Sequence, residues 1–293
     1  MTTSHSTIAN LDNGHVRVEY LLDAGPRISG IYLAGSNENQ LARVDLRVPT
    51  PHGDYVFRGG HRLWYAPESF PRTYMPDNAP IIVHATSDGV RLEQSAERVF
   101  GIDKAIEIHL DANRASMTLV HILQNNSPAP IELAPWAITQ LNLGGVAILP
   151  QQTTPLDEHG YLPNRHLALW SYTSWNDSRL NLSDRFISVQ GDPGLPPCKI
   201  GCMNRQGWLA YWRERVLFIK QFTPQPDLPH YDFNCNAEIY CNNQFIELET
   251  CAPIVKLEPG QHVTHQEVWH WRAGVDEQEI KNNPDLIRSW LNQ

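Results

Sequence analysis

The stretch "QFIELETCAP" (244–253) places two glutamates, Glu247 and Glu249, two residues apart. Side chains alternate faces along a strand, so Phe245, Glu247 and Glu249 share one face while Ile246 and Leu248 take the other. Carboxyl groups at that spacing lie about 7 Å apart, close enough for each to raise the other's pKa. Such a pair suits general acid–base work, although a solvated sheet face produces the same pattern. "APWAITQLNLGG" (134–145) also reads as a strand, with Trp136, Ile138, Gln140 and Asn142 on one face. Tryptophan beside glutamine fits a cleft that stacks on a sugar ring and hydrogen-bonds its hydroxyls. A tryptophan half-buried in core is the plainer reading.

Two further clusters concentrate costly side chains. "FRGGHRLWYAPE" (57–68) carries Arg58, His61, Arg62, Trp64, Tyr65 and Glu68 behind a Gly-Gly pair. Two arginines there could hold a carboxylate or phosphate bidentately, or neutralise Glu247, Glu249 and Glu132. "NRHLALWSYTSWNDSR" (164–179) brings Arg165, Trp170, Trp175, Asp177 and Arg179 into one irregular segment. It reads either as a lid over a cleft or as a loop pinned down by its own aromatics and ion pairs.

Other chemistries find little support. Thirteen histidines invite a metal, yet no H-E-x-x-H occurs, and His262 and His265 are three apart in a strand and face opposite sides. His265 and Glu267 share a face, but two ligands are too few, so no metal is expected. The sequence has no G-x-S-x-G elbow, phosphate loop or dinucleotide fingerprint. "SVQGDPG" is not a calcium loop.

The elements that must position these residues are strands. "HVRVEYLL", "RISGIYL", "KAIEIHLD", "SMTLVHIL", "VLFIKQF" and "HVTHQEVWHW" alternate over about 5 to 9 residues, with turn dipeptides such as Asp88-Gly89 between many of them. Only "DEQEIKNNPDLIRSW" reads as helical, divided at Pro284. The long segment 150–197 is proline-rich and aromatic, the mark of a functional loop. No fixed repeat and no linker composition emerge, so residues 1–293 read as one all-β domain.

The chain carries net charge -9 and no basic run, which argues against nucleic acid or an anionic membrane as partner. No stretch approaches the roughly 20 apolar residues of a membrane span, and the N-terminus has no signal-peptide pattern. Five cysteines form no C-x-x-C pair; Cys235, Cys241 and Cys251, in strand-like segments, read as buried free thiols, and the protein as reduced and cytoplasmic.

Four motifs in order, "GPRISGIYL", "FRGGHRLW", "LNLGG" and "ELET", resemble the aldose 1-epimerase (galactose mutarotase-like) superfamily. With "GGHRLWYAPE" and "ELAPWAITQL" the whole chain is similar to a bacterial branch of it. The resemblance implies a β-supersandwich of antiparallel sheets, no cofactor, and a carbohydrate or similar small molecule as ligand in a concave cleft. The family's L-E-T-Q base motif corresponds to Leu248-Glu249-Thr250-Cys251, which makes Glu249 the general base. Its general-acid histidine falls at Ile138, and a second histidine, before a Gly-Gly pair, falls at Arg58. Both are lost here. The resemblance places the 57–68 stretch at the cleft rim, with Arg58, His61 and Arg62 toward the ligand and His61 or Arg62 as replacement electrophile. Trp64, Glu68, Glu132, Trp136, Gln140, Arg165, Trp170 and Glu247 complete the expected ligand contacts. A non-catalytic carbohydrate binder and a lyase that abstracts a proton beside a carboxylate are the rival expectations.

Overall fold

The strand Ile131–Leu141 is almost wholly buried along both faces, as a central strand covered from two sides must be. Its alternation therefore divides two interiors. Trp136, Ile138 and Gln140 face one, and Ala137, Thr139 and Leu141 face the other. This strand is the middle of the first of two sheets in a computed structural model that describes residues 7–94, 97–282 and 285–291.

Among the described residues each main sheet has ten strands. The first runs in the order Ile8–Asp12, Val16–Leu21, Arg27–Leu33, His61–Ala66, Ile131–Leu141, Ile246–Cys251, Ala237–Cys241, Cys198–Cys202 and Ala168–Leu169, with Val255–Leu257 paired to the start of Ile131–Leu141. The second centres on Trp208–Arg213, Val216–Phe222, His262–Ala273, Ser116–Asn125 and Ile102–Leu110. A small hairpin, Arg47–Thr50 with Gly53–Val56, stands apart. All pairings are antiparallel, as the short connections between alternating strands predict.

The strand expectations are met closely: Val216–Phe222 and Arg27–Leu33 coincide with the alternating runs. The tail forms two helices, Glu277–Asn282 and Asp285–Leu291; Pro284, expected to divide them, lies outside the described residues. Segment 150–197 is mostly irregular but contributes three short strands to the sheet edges. All five cysteines are free and buried.

Apolar residues from both sheets, including Ile28, Leu63, Leu141 and Leu248 against Ile106, Leu119, Phe218 and Trp269, form one core cluster between them. At its centre lies an unforeseen polar knot. Lys220 and Glu267, both fully buried, pair at 3.0 Å. From the second sheet Lys220 donates across to Ala137 O at 2.9 Å, Leu248 O at 3.1 Å and Thr139 Oγ1 at 3.1 Å. Glu267 accepts from Thr250 Oγ1 and from Trp269 Nε1.

Three histidines complete the knot in one proton arrangement. His121 Nδ1 donates to the carbonyl of His265, so its Nε2 must accept from His61 Nε2, 2.7 Å away. His61 Nδ1 then accepts from Thr139 Oγ1, and His265 Nε2 donates to Thr250 Oγ1. His61, His121 and Glu267 have the clustering of a metal site, with ligand atoms within 4.8 Å of one another. Their lone pairs and protons are already used by one another and by Lys220, so the cluster is better described as a closed hydrogen-bond network than as a metal centre. Burial holds all three histidines below their usual pKa, His265 down to about 3.

Two outcomes are expected. Lys220→Met should lower stability in denaturant unfolding by about 3–5 kcal/mol, because it strands a buried carboxylate, and adding Glu267→Leu should recover much of the loss. Nitrogen NMR should find His265 neutral at about pH 5; its contribution to stability is complete above the unfolded histidine pKa of about 6.5 and is lost as pH falls toward about 3.

Candidate functional site on the concave sheet

The first sheet's outer face is read off its registers. Arg62 lies opposite Ile138, Ile138 opposite Glu249, and Glu249 opposite Glu238. One step along, Gln140 faces Glu247, Glu247 faces Tyr240, and Tyr240 faces Lys199. Period-two alternation thus delivers three carboxylates, two cations and a primary amide to one surface, beside Trp64 and Trp136. Gly201 stands opposite Glu238; a Cβ there would come within 3.1 Å of Glu238 Cγ, so glycine leaves the carboxylate its room.

Lys199 is the hub. Its Nζ meets Glu238 Oε2 at 2.7 Å and Glu249 Oε2 at 2.8 Å, and it sits over the rings of Trp136 and Trp170 at 4.7 and 4.6 Å. Trp136 Nε1 donates to the same Glu249 oxygen at 2.7 Å. Glu249 is thereby held by two donors on Oε2 while Oε1 stays without a partner. Arg62 donates to Glu247 at 3.0 Å and stacks over Trp64 at 4.3 Å.

Of twelve buried side-chain polar atoms without a hydrogen bond among the described residues, seven lie on this face. They are Nε and Nη1 of Arg62, both amide atoms of Gln140, both oxygens of Glu238 and Oε1 of Glu249. The contact of Glu238 with Lys199 is ionic rather than an aligned hydrogen bond. Native interiors leave few such atoms, each costing about 1–3 kcal/mol, so seven on one face call for a specific explanation.

Burial also displaces proton affinities here. Glu247 is pushed up to about 7 by burial, against the pull of Arg62 and with the push of Glu249. Glu238 is raised well above the usual carboxylate range, chiefly by burial. Asp232 is raised too, first by burial, with Lys199 opposing and Glu249 and Glu68 adding. Asp232 reaches the cluster from a turn in which Asp232, Phe233 and Asn234 all have left-handed backbone, φ 51°, 58° and 65°. Non-glycine residues pay about 1–2 kcal/mol each for that conformation, a strain typical of functional sites.

The expected residues divide cleanly. Glu247, Glu249, Arg62, Trp64, Trp136, Gln140 and Trp170 come together. His61 does not: it follows the opposite phase of its strand and points into the core toward His121. Arg58 is likewise elsewhere, gripping Asp77 at 3.2 Å and Asn78 at 2.6 Å. Gly59 and Gly60, at φ 75° and 72°, make the tight turn between them. Glu68 is exposed at the rim, where it accepts from Tyr74. Glu132 is exposed and meets Tyr231 OH at 3.4 Å. Arg165 is exposed and donates to Asp184 O, far from any ligand-facing role suggested by its segment. The 164–179 segment divides: Trp170 and Tyr172 reach the site, Arg179 is locked on Asp177 at 2.7 Å, and Trp175 is 77% exposed.

Lys199, Glu238 and Asp232 were not foreseen. Two of them had a signal: a lone charge inside a short apolar strand, as in "CKIGC" and "AEIYC", marks a side chain with a partner.

Compared with known proteins, the sequence matches no family model, and no curated protein resembles it significantly. Solved structures do resemble it. A galactose mutarotase-like protein from Lactobacillus casei superposes with TM-score 0.59 at 10% identity, covering 91% of this chain and 100% of its own. A galactose mutarotase related enzyme from Lactobacillus acidophilus gives 0.59 at 11%, covering 92% and 99%. A candidate aldose 1-epimerase from Escherichia coli K12 gives 0.57 at 14%, covering 92% and 100%. The chain has the galactose mutarotase-like fold. Glu249 stands on the outer face of the first sheet, and Ile138 stands directly opposite it in the neighbouring strand.

The two arginines of the 57–68 stretch are separable by titration. Because Arg62 lowers the Glu247 pKa, Arg62→Met should move the Glu247 midpoint upward from about 7 in carboxyl-resolved NMR. Arg58→Met, remote from Glu247, should leave it in place.

Proposed function

We propose that the concave sheet binds a carbohydrate or similar polyhydroxylated small molecule and acts on it in the manner of an aldose epimerase. The observation that carries this reading is the set of seven buried polar atoms without a hydrogen bond, framed by Trp64, Trp136 and Trp170. Hydroxyl groups both donate and accept, so one sugar ring can satisfy carboxylate, amide and guanidinium together while its apolar face rests on indole. The likeness to a galactose mutarotase-like protein and a galactose mutarotase related enzyme supports the same ligand class.

Opening a cyclic hemiacetal requires two proton transfers. Glu249 Oε1 takes the proton from the anomeric hydroxyl, whose oxygen forms the carbonyl as the bond from the anomeric carbon to the ring oxygen breaks. The electron pair passes to the ring oxygen, which takes a proton from the cleft. With isoleucine at 138, the donor in this reading is Glu247, on the same face about two residues away along the strand and with a pKa of about 7 suited to giving up a proton near neutrality. Rotation about the opened carbonyl and reversal of both transfers exchange the anomers.

A second reading, a binding protein without turnover, is favoured by one observation: Ile138 stands opposite Glu249, and His61 has turned inward.

Polarimetry on sugars that quench tryptophan fluorescence separates the two. Glu249→Gln should abolish anomer exchange while keeping affinity within about tenfold, roughly 1.4 kcal/mol. Because a donor must hold its proton, the rate should fall as pH rises through about 7, and Glu247→Gln should remove both that dependence and most of the rate. Sugars that bind wild type and the Glu249 variant alike, with no exchange in either, would establish the binder.

A further inference from the structure

Resting on the carbohydrate reading, we infer that the ligand of this site carries an ammonium group beside its hydroxyls, as an amino sugar or amino polyol does. The charges on the concave face are unequal. Glu238, Glu247 and Glu249 are buried there, and Asp232 and Glu68 stand at its edge, against two cations, Arg62 and Lys199. Each cation is already neutralised by a carboxylate of the same face. Arg62 pairs with Glu247 through Nη2 and lies over the rings of Phe57 and Trp64, and Lys199 is shared by Glu238 and Glu249. Arg58, the remaining arginine of the 57–68 stretch, is taken by Asp77 and Asn78. A sugar acid would meet three carboxylates whose two counter-charges are already shared among them, a like-charge contact that disfavours it.

Lys199 shows what this surface holds well: an ammonium between two carboxylates and over two indole faces. The same face offers further acceptors for a second one. Glu249 Oε1 is buried without a hydrogen bond, and Glu238, directly opposite Glu249 in the adjacent strand, has Lys199 and Asp232 beside its carboxylate. Asp232 is carried to the same flank by its strained turn. Gln140, fully buried with neither amide atom bonded, marks the other flank as the place for hydroxyls. The raised proton affinities of Glu238 and Asp232 agree: the surplus negative charge is relieved by protons until a cation arrives.

The test is a calorimetric panel on the whole protein at about pH 6.5, below an amine pKa of about 7.7. D-galactosamine and D-glucosamine are compared with D-galactose, D-glucose, their N-acetylated amino sugars, and D-galacturonate and D-glucuronate. At least one amine should bind tenfold or more tightly than both its neutral parent and its N-acetyl form, with the acids weakest. Glu238→Gln should shrink that amine-to-parent ratio at least threefold; the wild-type panel decides by itself if the variant does not fold. Neutral sugars binding as tightly as amines, or acids binding best, overturns the ammonium and leaves the carbohydrate reading standing. Failure of every compound to bind overturns both.

Discussion

The fully buried pair of Lys220 and Glu267 fixes how the two sheets of this protein meet. Burying either charge alone costs several kcal/mol, so the pair persists only where geometry and accessory hydrogen bonds are complete. Here they are complete because partners come from both sheets: Ala137, Thr139, Leu248 and Thr250 from one, Trp269 from the other. A slip of one residue in any of these strands would turn charges toward hydrocarbon. The three histidines, each with one permitted proton arrangement, sharpen the same constraint.

The site depends on that knot through the backbone. Lys220 bonds the carbonyls of Ala137 and Leu248, the residues immediately before Ile138 and Glu249. The central strands are thus held from behind at the positions whose next side chains form the outer polar cluster. Glu249 as the proposed general base would need such placement, since an error of about 1 Å in position can cost a hundredfold in rate. Two polar clusters stand back to back across one sheet. The inner one has its polar groups engaged with one another; the outer one leaves seven polar atoms without a hydrogen bond. That contrast is the physical ground for proposing the outer one as the ligand site.

Much was legible beforehand. Period-two alternation gave the strands, the all-β class and the shared faces of Glu247 with Glu249 and of Trp136 with Gln140, and the motif order pointed to the mutarotase-like fold. The errors came from phase and reach. His61 and Arg62 are neighbours in sequence and so must face opposite sides of a strand; both were expected at the ligand, and only Arg62 is there. Arg58 precedes the Gly-Gly turn, outside the strand, where alternation says nothing about direction. Arg165 and Trp170 share a loop, and only contacts distant in sequence decide that Trp170 covers Lys199 while Arg165 points away.

The amino-acid sequence by itself determined which side chains can share a face, because that follows from local backbone geometry. It also determined that the chain is rich in short strands and that two glutamates would stand together on one of them. Tertiary structure alone decided which strands are neighbours, and hence that Lys199 and Glu238 join Glu249 on one surface from segments some fifty and eleven residues away. It decided as well that Lys220, His121 and Glu267 are neighbours rather than three isolated polar residues in apolar strands. The physical reason is that pairing between distant strands is set by the packing of whole faces, a sum over many weak contacts that no short stretch contains.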